Sequence, residues 1–338
     1  MKAVVLTQRG HLSYLEVPTP KPPLGWALVQ VKACAVCATD LELIYSDIVQ
    51  PDYPLIPGHE WAGVVSAVGS ERHSAWVGKR VVGSNDVGCD ECEECLSGRT
   101  RYCSSFKEIG FLLNGGYAEY MLVPCKNLYE LPGGISFIQG ALLEPLAVGV
   151  GCVEKGGIHL GDTVTVIGMG SIGLNIIAAA KAAGAVKIVA AASSDTRWEY
   201  AQKAGADLLV TTTTQNLVAE VRRHHPGGSH VVLDATGNQA CIQNAFNATR
   251  LGGTVVLAGY GGGKSMALVL DDVHINNLQV MGAGKNWGHV RASLELLESG
   301  LTTDYMATDI LALPQYQQAL EAAEKRPKGF VKSVFVFE

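Results

Sequence analysis

The run Gly168-Met169-Gly170-Ser171-Ile172-Gly173 constrains the fold of this chain more than any other feature, because of what stands on either side of it. Three glycines at this spacing say little alone. Here the β-branched stretch TVTVI at 163–167 runs into the first glycine, and a helix-forming stretch at 171–183 leaves the last. A strand that turns tightly into a helix needs glycine at the turn. It brings backbone close to a bound pyrophosphate and points the free N–H groups of the helix at it. Gly168, Gly170, Ser171, Ile172 and Gly173 are therefore the candidate cofactor-binding residues. Downstream, apolar runs at 187–192, 207–211, 231–234, 254–258 and 278–281 alternate with helical stretches at 197–204, 217–224 and 240–249. That alternation predicts a doubly wound parallel sheet of six strands.

The other parts of the chain read differently. The first 145 or so residues carry short β-type runs (27–32, 63–68, 80–82) broken by Gly, Pro and Asp clusters, which predicts an irregular, mostly β domain. The tail holds two helical stretches, 290–297 and 315–325, and a last strand at 332–337. It is too short for a domain of its own. The expected organisation is thus a catalytic-type β domain at 1–146, with a cysteine lobe at 86–104, a dinucleotide domain at 147–287, and a return to the first domain at 288–338. A formal net charge of −6 disfavours nucleic acid or an anionic membrane as the main partner. No run approaches the roughly 18 apolar residues of a membrane span. The opening MKAVVLTQRG reads as strand and not as a secretion signal, so a cytoplasmic location is expected. Thiols stay reduced there, and the nine cysteines need another use than disulfides.

Four of them announce one. Cys89, Cys92, Cys95 and Cys103 are separated by two, two and seven residues. Each two-residue gap forms a knuckle, so four thiolates converge on one tetrahedral zinc with no position left for water: a structural site. The acidic residues between them, Asp90, Glu91, Glu93 and Glu94, read as solvated flanks. A second set is dispersed: Cys37 in VCATD, His59 and Glu60 in PGHEWAG, and Glu144 in LLEPLAVG. Thiolate, imidazole and carboxylate together suit zinc, and three protein ligands leave a position open for chemistry.

With those motifs in order (VCxTD, GHE, CxxCxxCx7C, EP, GxGxxG), the chain resembles the zinc-containing medium-chain dehydrogenases/reductases over essentially its whole length. It is most similar to the sorbitol and threonine dehydrogenase branch. The resemblance implies a GroES-like catalytic domain beside a Rossmann domain, a catalytic and a structural zinc, and transfer of a hydride between an alcohol and a nicotinamide. It implies Cys37 and His59 as zinc ligands. Glu144 stands where the alcohol dehydrogenases proper carry a third ligand cysteine, and Glu60 or Glu144 completes the set, or the zinc exchanges between them with a water. Glu60 is alternatively a carboxylate that tunes the zinc without touching it. Thr39 matches the hydroxyl that passes the substrate proton towards solvent. PGHEWAG, EIGF and EPLAVG are also similar to aminocyclitol dehydrogenases of the 2-deoxy-scyllo-inosamine type. The expected substrate is accordingly a polyol, sugar or (amino)cyclitol. An L-threonine-type amino alcohol and a zinc- and nucleotide-binding protein without turnover are the alternatives.

Cofactor choice turns on the end of the second strand, where an NAD enzyme normally places Asp or Glu on the ribose diol. Alignment of RWEYAQKAGAD puts Ala192 there, followed by Ser193 and Ser194, with Arg197 beyond. Loss of the carboxylate removes repulsion against a 2′-phosphate, and Ser193 and Arg197 are groups that bind one, so NADP is favoured over NAD. The counter-reading is Asp195 reaching the ribose. A homodimer or homotetramer is expected from the resemblance. Cys34, Cys125, Cys152 and Cys241 read as small buried side chains, His224 and His225 as a solvated helix end, and Trp61 and Trp287 as packing residues.

Overall fold

The computed structural model describes residues 1–46, 50–284 and 288–338. Trp287 lies outside the described residues. The chain forms two compact units, Met1–Glu144 with Leu297–Glu338, and Pro145–Leu296.

The second unit is a six-stranded parallel sheet in the order Leu208–Thr211, Lys187–Ala192, Thr163–Ile167, Ser229–Asp234, Thr249–Leu257 and Gln279–Gly282. In sequence order this is 3-2-1-4-5-6, the Rossmann arrangement. All five residues of Thr163–Ile167 are buried, as expected for a central strand covered on both faces. The helix Ser171–Ala182 buries every residue from Gly173 to Ala180. Its start depends on glycine twice. Gly168 has φ +102°, and a Cβ on Gly173 would stand 1.7 Å from the Gly168 carbonyl oxygen.

The first unit is built on a seven-stranded sheet. Its path runs Ala307–Ala312, Lys332–Val336, Trp26–Ala35, Glu60–Val68, Arg80–Gly83 and Leu128–Glu130, with Tyr120–Pro124 paired to Trp26–Ala35 off that path. The tail therefore returns to this sheet: Lys332–Val336 pairs antiparallel with Trp26–Ala35 and parallel with Ala307–Ala312. One register decides the chemistry. Ala35 stands opposite Glu60 on one side and opposite Val334 on the other. Residues directly opposite share a face, and Lys332, two residues from Val334, shares it too. Glu60 and Lys332, 272 residues apart, are thus delivered to one face beside one residue. Cys34, Trp61 and Phe335 occupy the other face and join the hydrophobic core.

Several elements were not legible in the sequence, and three of them bear on the site or its sheet. Ala38–Tyr45 and Leu143–Gly156 are helices, and Ala307–Ala312 is a strand. Pro145 sits in the first turn of its helix, where its missing N–H costs nothing. No helix among the described residues is long and apolar enough to cross a membrane.

Candidate metal centres and nucleotide turn

Three segments of the first unit bring the dispersed set together. Cys37 is the cap residue of the helix Ala38–Tyr45. His59 and Glu60 stand at the start of the strand Glu60–Val68, after Gly58, whose φ is +99°. Ligand atoms of Cys37, His59 and Glu60 all lie within 4.8 Å of one another, and His59 and Glu60 are buried. Glu144, in the first turn of Leu143–Gly156, is 8% exposed, and its Oε1 has no hydrogen-bond partner among the described residues. Burial pushes the Glu144 carboxyl well above its ordinary range; the Glu60 charge adds to the shift and His59 partly offsets it.

The two carboxylates differ in what already holds them. Both oxygens of Glu60 accept from the Lys332 ammonium, at 2.6 and 2.7 Å, and both residues are buried. Burial works against the Lys332 charge, but Glu60, Cys37 and Glu144 outweigh it and raise its pKa. Glu60 is therefore saturated by an internal cation, while Glu144 is not.

His59 is held from behind. Its Nδ1 is 3.2 Å from Asp40 Oδ1, and its ring lies 4.7 Å from that of Phe111. Asp40 is wholly buried, and its Oδ2 accepts from the Cys37 amide at 2.8 Å and from the Tyr117 hydroxyl at 2.7 Å. Burial opposes its ionisation, yet His59, the Cys37 amide and Tyr117 together lower its pKa. His59 is raised well above its ordinary value: burial acts against the charge, and Asp40, then Cys37, overcome it. A carboxylate on Nδ1 leaves Nε2 as the nitrogen for a metal. Thr39 Oγ1 donates to Cys37 Sγ at 3.1 Å, so the candidate proton carrier rests on a candidate ligand.

The residues fit a zinc ion. The Cys37 thiol, the His59 imidazole and a carboxylate form a borderline-soft donor set of the type that zinc takes; the group that converges within 4.8 Å includes Glu60 and does not include Glu144. Asp40, Tyr117, Phe111 and Lys332 escaped the sequence reading. Asp40 lay in view at the third position after Cys37, a spacing that also reads as a helix cap; Lys332 stands in no motif.

The four-cysteine lobe is equally well formed. Cys89, Cys92, Cys95 and Cys103 place their sulfurs within 4.8 Å of one another, and Gly88 is tight enough that a Cβ would meet Cys95 Sγ at 2.5 Å. The backbone N–H groups of Glu91 and Cys92 lower the Cys89 thiol to about 7. At Cys92 the Cys95 amide favours the thiolate, but burial and the neighbouring sulfurs win and push the thiol up to about 12. Thiolates this close repel one another until a cation sits among them. Of the acidic flanks, Asp90 pairs with Lys126 and Glu94 with Arg99.

In the second unit, Ser171 opens its helix with Gly170 as the cap, and Ser171 Oγ is shielded without a protein partner. Ala192 is the last residue of its strand. Ser193 and Ser194 follow, exposed, and the Ser193 carbonyl accepts from Thr213 Oγ1 at 3.0 Å. Arg197 Nη1 donates to the Met169 carbonyl at 3.3 Å, so this side chain lies along the glycine-rich turn. Asp195 is exposed. Cys34, Cys125 and Cys152 are buried, whereas Cys241, expected buried, is half-buried on its helix. Trp61 packs in the core with its Nε1 donating to Asn85.

Comparison with known proteins accounts for this arrangement. Residues 23–133 match the alcohol dehydrogenase GroES-like domain, and residues 171–299 match the zinc-binding dehydrogenase domain. The chain is 29% identical to the sorbitol dehydrogenase of Bacillus subtilis, over 96% of this chain and 93% of that protein. It is 32% identical to the L-threonine 3-dehydrogenase of Pyrococcus horikoshii, over 100% and 99%. A zinc-binding dehydrogenase from Sinorhizobium meliloti, solved bound to NADP, superposes with a TM-score of 0.92 at 30% identity, over 99% of each chain. The chain belongs to the zinc-binding, medium-chain alcohol dehydrogenase family, and it is an oxidoreductase of alcohols.

Proposed function

We propose that the protein interconverts a secondary alcohol and a ketone on a polyol, sugar or cyclitol, with NADP as the hydride partner. One observation carries the reading: Cys37, half-buried, and His59 and Glu60, both buried, converge within 4.8 Å, and the nearby buried Glu144 has an Oε1 with no partner among the described residues. Cys37, His59 and Glu144 would hold a catalytic zinc, with Glu60 kept beside it by Lys332. When bound, zinc polarises the substrate oxygen and favours its alkoxide form.

The chain's residues do the rest. Asp40 keeps His59 in one tautomer, so that Nε2 faces the metal. Thr39 turns its hydroxyl from Cys37 Sγ to the substrate oxygen and takes up the alcohol proton, passing it outward. The four-cysteine lobe would hold the second zinc, with a structural role. A polyol is supported by the similarity to sorbitol dehydrogenase. NADP is supported by Ala192, which puts no carboxylate at the strand end, and by the exposed Ser193 with Arg197 beside the glycine-rich turn. Self-association is supported by the edge strand Gln279–Gly282, exposed throughout, with Val280 and Met281 on its surface. Its free edge suits a second copy, and a homodimer or homotetramer in the reducing cytoplasm follows.

The test is a nicotinamide absorbance assay of zinc-replete protein against polyols, aminocyclitols, L-threonine and simple alcohols, with each cofactor. Chelator-sensitive turnover of a polyol or cyclitol with NADP is expected. Preference for L-threonine would transfer the assignment to an amino-alcohol dehydrogenase, and equal or better turnover with NAD would overturn the cofactor reading.

A further inference from the structure

Tyr117 carries a hydroxyl that its packing does not need. The side chain is wholly buried. Its ring lies against Gly58, where an added Cβ would meet Cδ1 at 2.4 Å, and stands edge-on to Phe335 at 5.1 Å. Phenylalanine would fill that space as well. A buried phenol without a partner costs free energy, so the hydroxyl persists only where something accepts from it. Its acceptor is Asp40 Oδ2, at 2.7 Å, from 77 residues away.

The backbone around Tyr117 is stitched to the segment that bears His59. Gly115, Gly116 and Tyr117 donate to the carbonyls of Ile56, Gly58 and Pro57. Tyr117 thereby touches three parts of the centre: the approach to His59 through Gly58, the Cys37 helix through Asp40, and the strand of Lys332 through Phe335.

We propose that Tyr117 is a positioning residue for the metal centre: its hydroxyl fixes the rotation of the Asp40 carboxylate and, through it, the imidazole of His59. Oδ2 has two donors, the Cys37 amide and Tyr117, which set the plane of the carboxylate. Oδ1 is thereby kept 3.2 Å from His59 Nδ1, an ion-pair contact without the alignment of a full hydrogen bond. Loss of the phenol leaves one donor, and the carboxylate turns about the remaining bond. His59 then loses the partner that holds its tautomer, and the metal leaves faster. This inference rests on the reading of His59 as a metal ligand.

The test compares the full-length zinc-loaded protein with Tyr117→Phe, Asp40→Asn, the double variant and His59→Ala. Zinc release to a competing chelator is followed together with zinc content per chain, and cobalt-substituted protein gives the visible spectrum of the centre. Tyr117→Phe should release the labile zinc about 10-fold faster. The cobalt bands should move, while the four-cysteine zinc stays bound and the unfolding midpoint changes little. In the Asp40→Asn background, Tyr117→Phe should add nothing, because its effect runs through the carboxylate. Unchanged release and spectrum in Tyr117→Phe would overturn the proposal, as would an effect of equal size in the Asp40→Asn background. If Tyr117→Phe lost both zincs together with its fold, the residue would be a packing residue only. If His59→Ala kept as much zinc as the parent, the metal reading of His59 itself would fall, a result distinct from either.

Discussion

Replacement of Lys332 by methionine tests the electrostatics of the centre directly. The ammonium lies 2.6 and 2.7 Å from the two oxygens of Glu60, and both side chains are buried. At that separation, with an effective dielectric near 20, the attraction is about 6 kcal/mol. Removal of one partner from a buried pair costs about 3–5 kcal/mol, because the other charge is left without compensation. Methionine has nearly the same length and fills the space, so the cavity contribution is small. The zinc-free protein should therefore lose about 3–5 kcal/mol of stability.

With zinc bound, a second cation stands near the same carboxylates, and part of that loss is recovered. If the recovery is about 2 kcal/mol, linkage requires zinc to bind the variant about 30-fold more tightly than the parent. Turnover should nevertheless fall, because Glu60 is freed to collapse onto the metal. The measurements are urea unfolding with and without the labile zinc, and zinc affinity by chelator competition. A loss below about 1 kcal/mol in the zinc-free protein would refute the reasoning, and so would equal losses in the two forms.

Three further outcomes are expected. Glu144 is raised above its ordinary 4.5, so its stabilising contribution is complete below about that pH and is lost as the pH rises through its folded value. The zinc-free protein should lose stability as the pH rises above 4.5, and Glu144→Gln should flatten that slope and abolish labile zinc binding; an unchanged unfolding profile between pH 5 and 8 would count against it. Thr39→Ala should lower kcat about 100-fold with zinc content intact, and Thr39→Ser should restore it, as read by steady-state kinetics. Ala192→Asp should raise the KM for NADP about 10- to 100-fold and improve NAD, since it places a carboxylate against the 2′-phosphate; unchanged cofactor ratios would locate specificity elsewhere.

The Rossmann unit was readable because its determinants are local. Each strand of the series is a short apolar run, each turn carries its own glycine or cap, and the order of strands follows from right-handed crossovers. The four-cysteine lobe was readable for the same reason, with every ligand within 15 residues. The centre at Cys37 was legible only in part. Its ligand candidates fall in short motifs, but the groups that hold them come from afar. Lys332 reaches Glu60 through the pairing of Ala35 with Glu60 on one side and with Val334 on the other, which no sequence window contains. Tyr117 reaches Asp40 across 77 residues. The helix Leu143–Gly156 was missed because LEPLAVGVGC shows no polar face and is interrupted by glycines, so no 3.6-residue period stands out.

Charge balance ties these observations together. Among the described residues, the buried carboxyl groups Asp40, Glu60 and Glu144 stand near the Cys37 thiol and the Lys332 ammonium. Lys332 is consumed by Glu60. Against the opposing effect of burial, Asp40 favours the protonated form of His59, and burial favours the neutral form of Glu144. A proton on the imidazole Nε2 or on the Glu144 carboxyl would compete with a zinc ion for the same donor atom. A divalent cation replaces such protons and satisfies the same charges. On the reading of this centre as a zinc site, its charges as well as its ligand types would favour a divalent cation. Fewer buried carboxyl groups would leave a divalent ion uncompensated, and a second lysine would repel it.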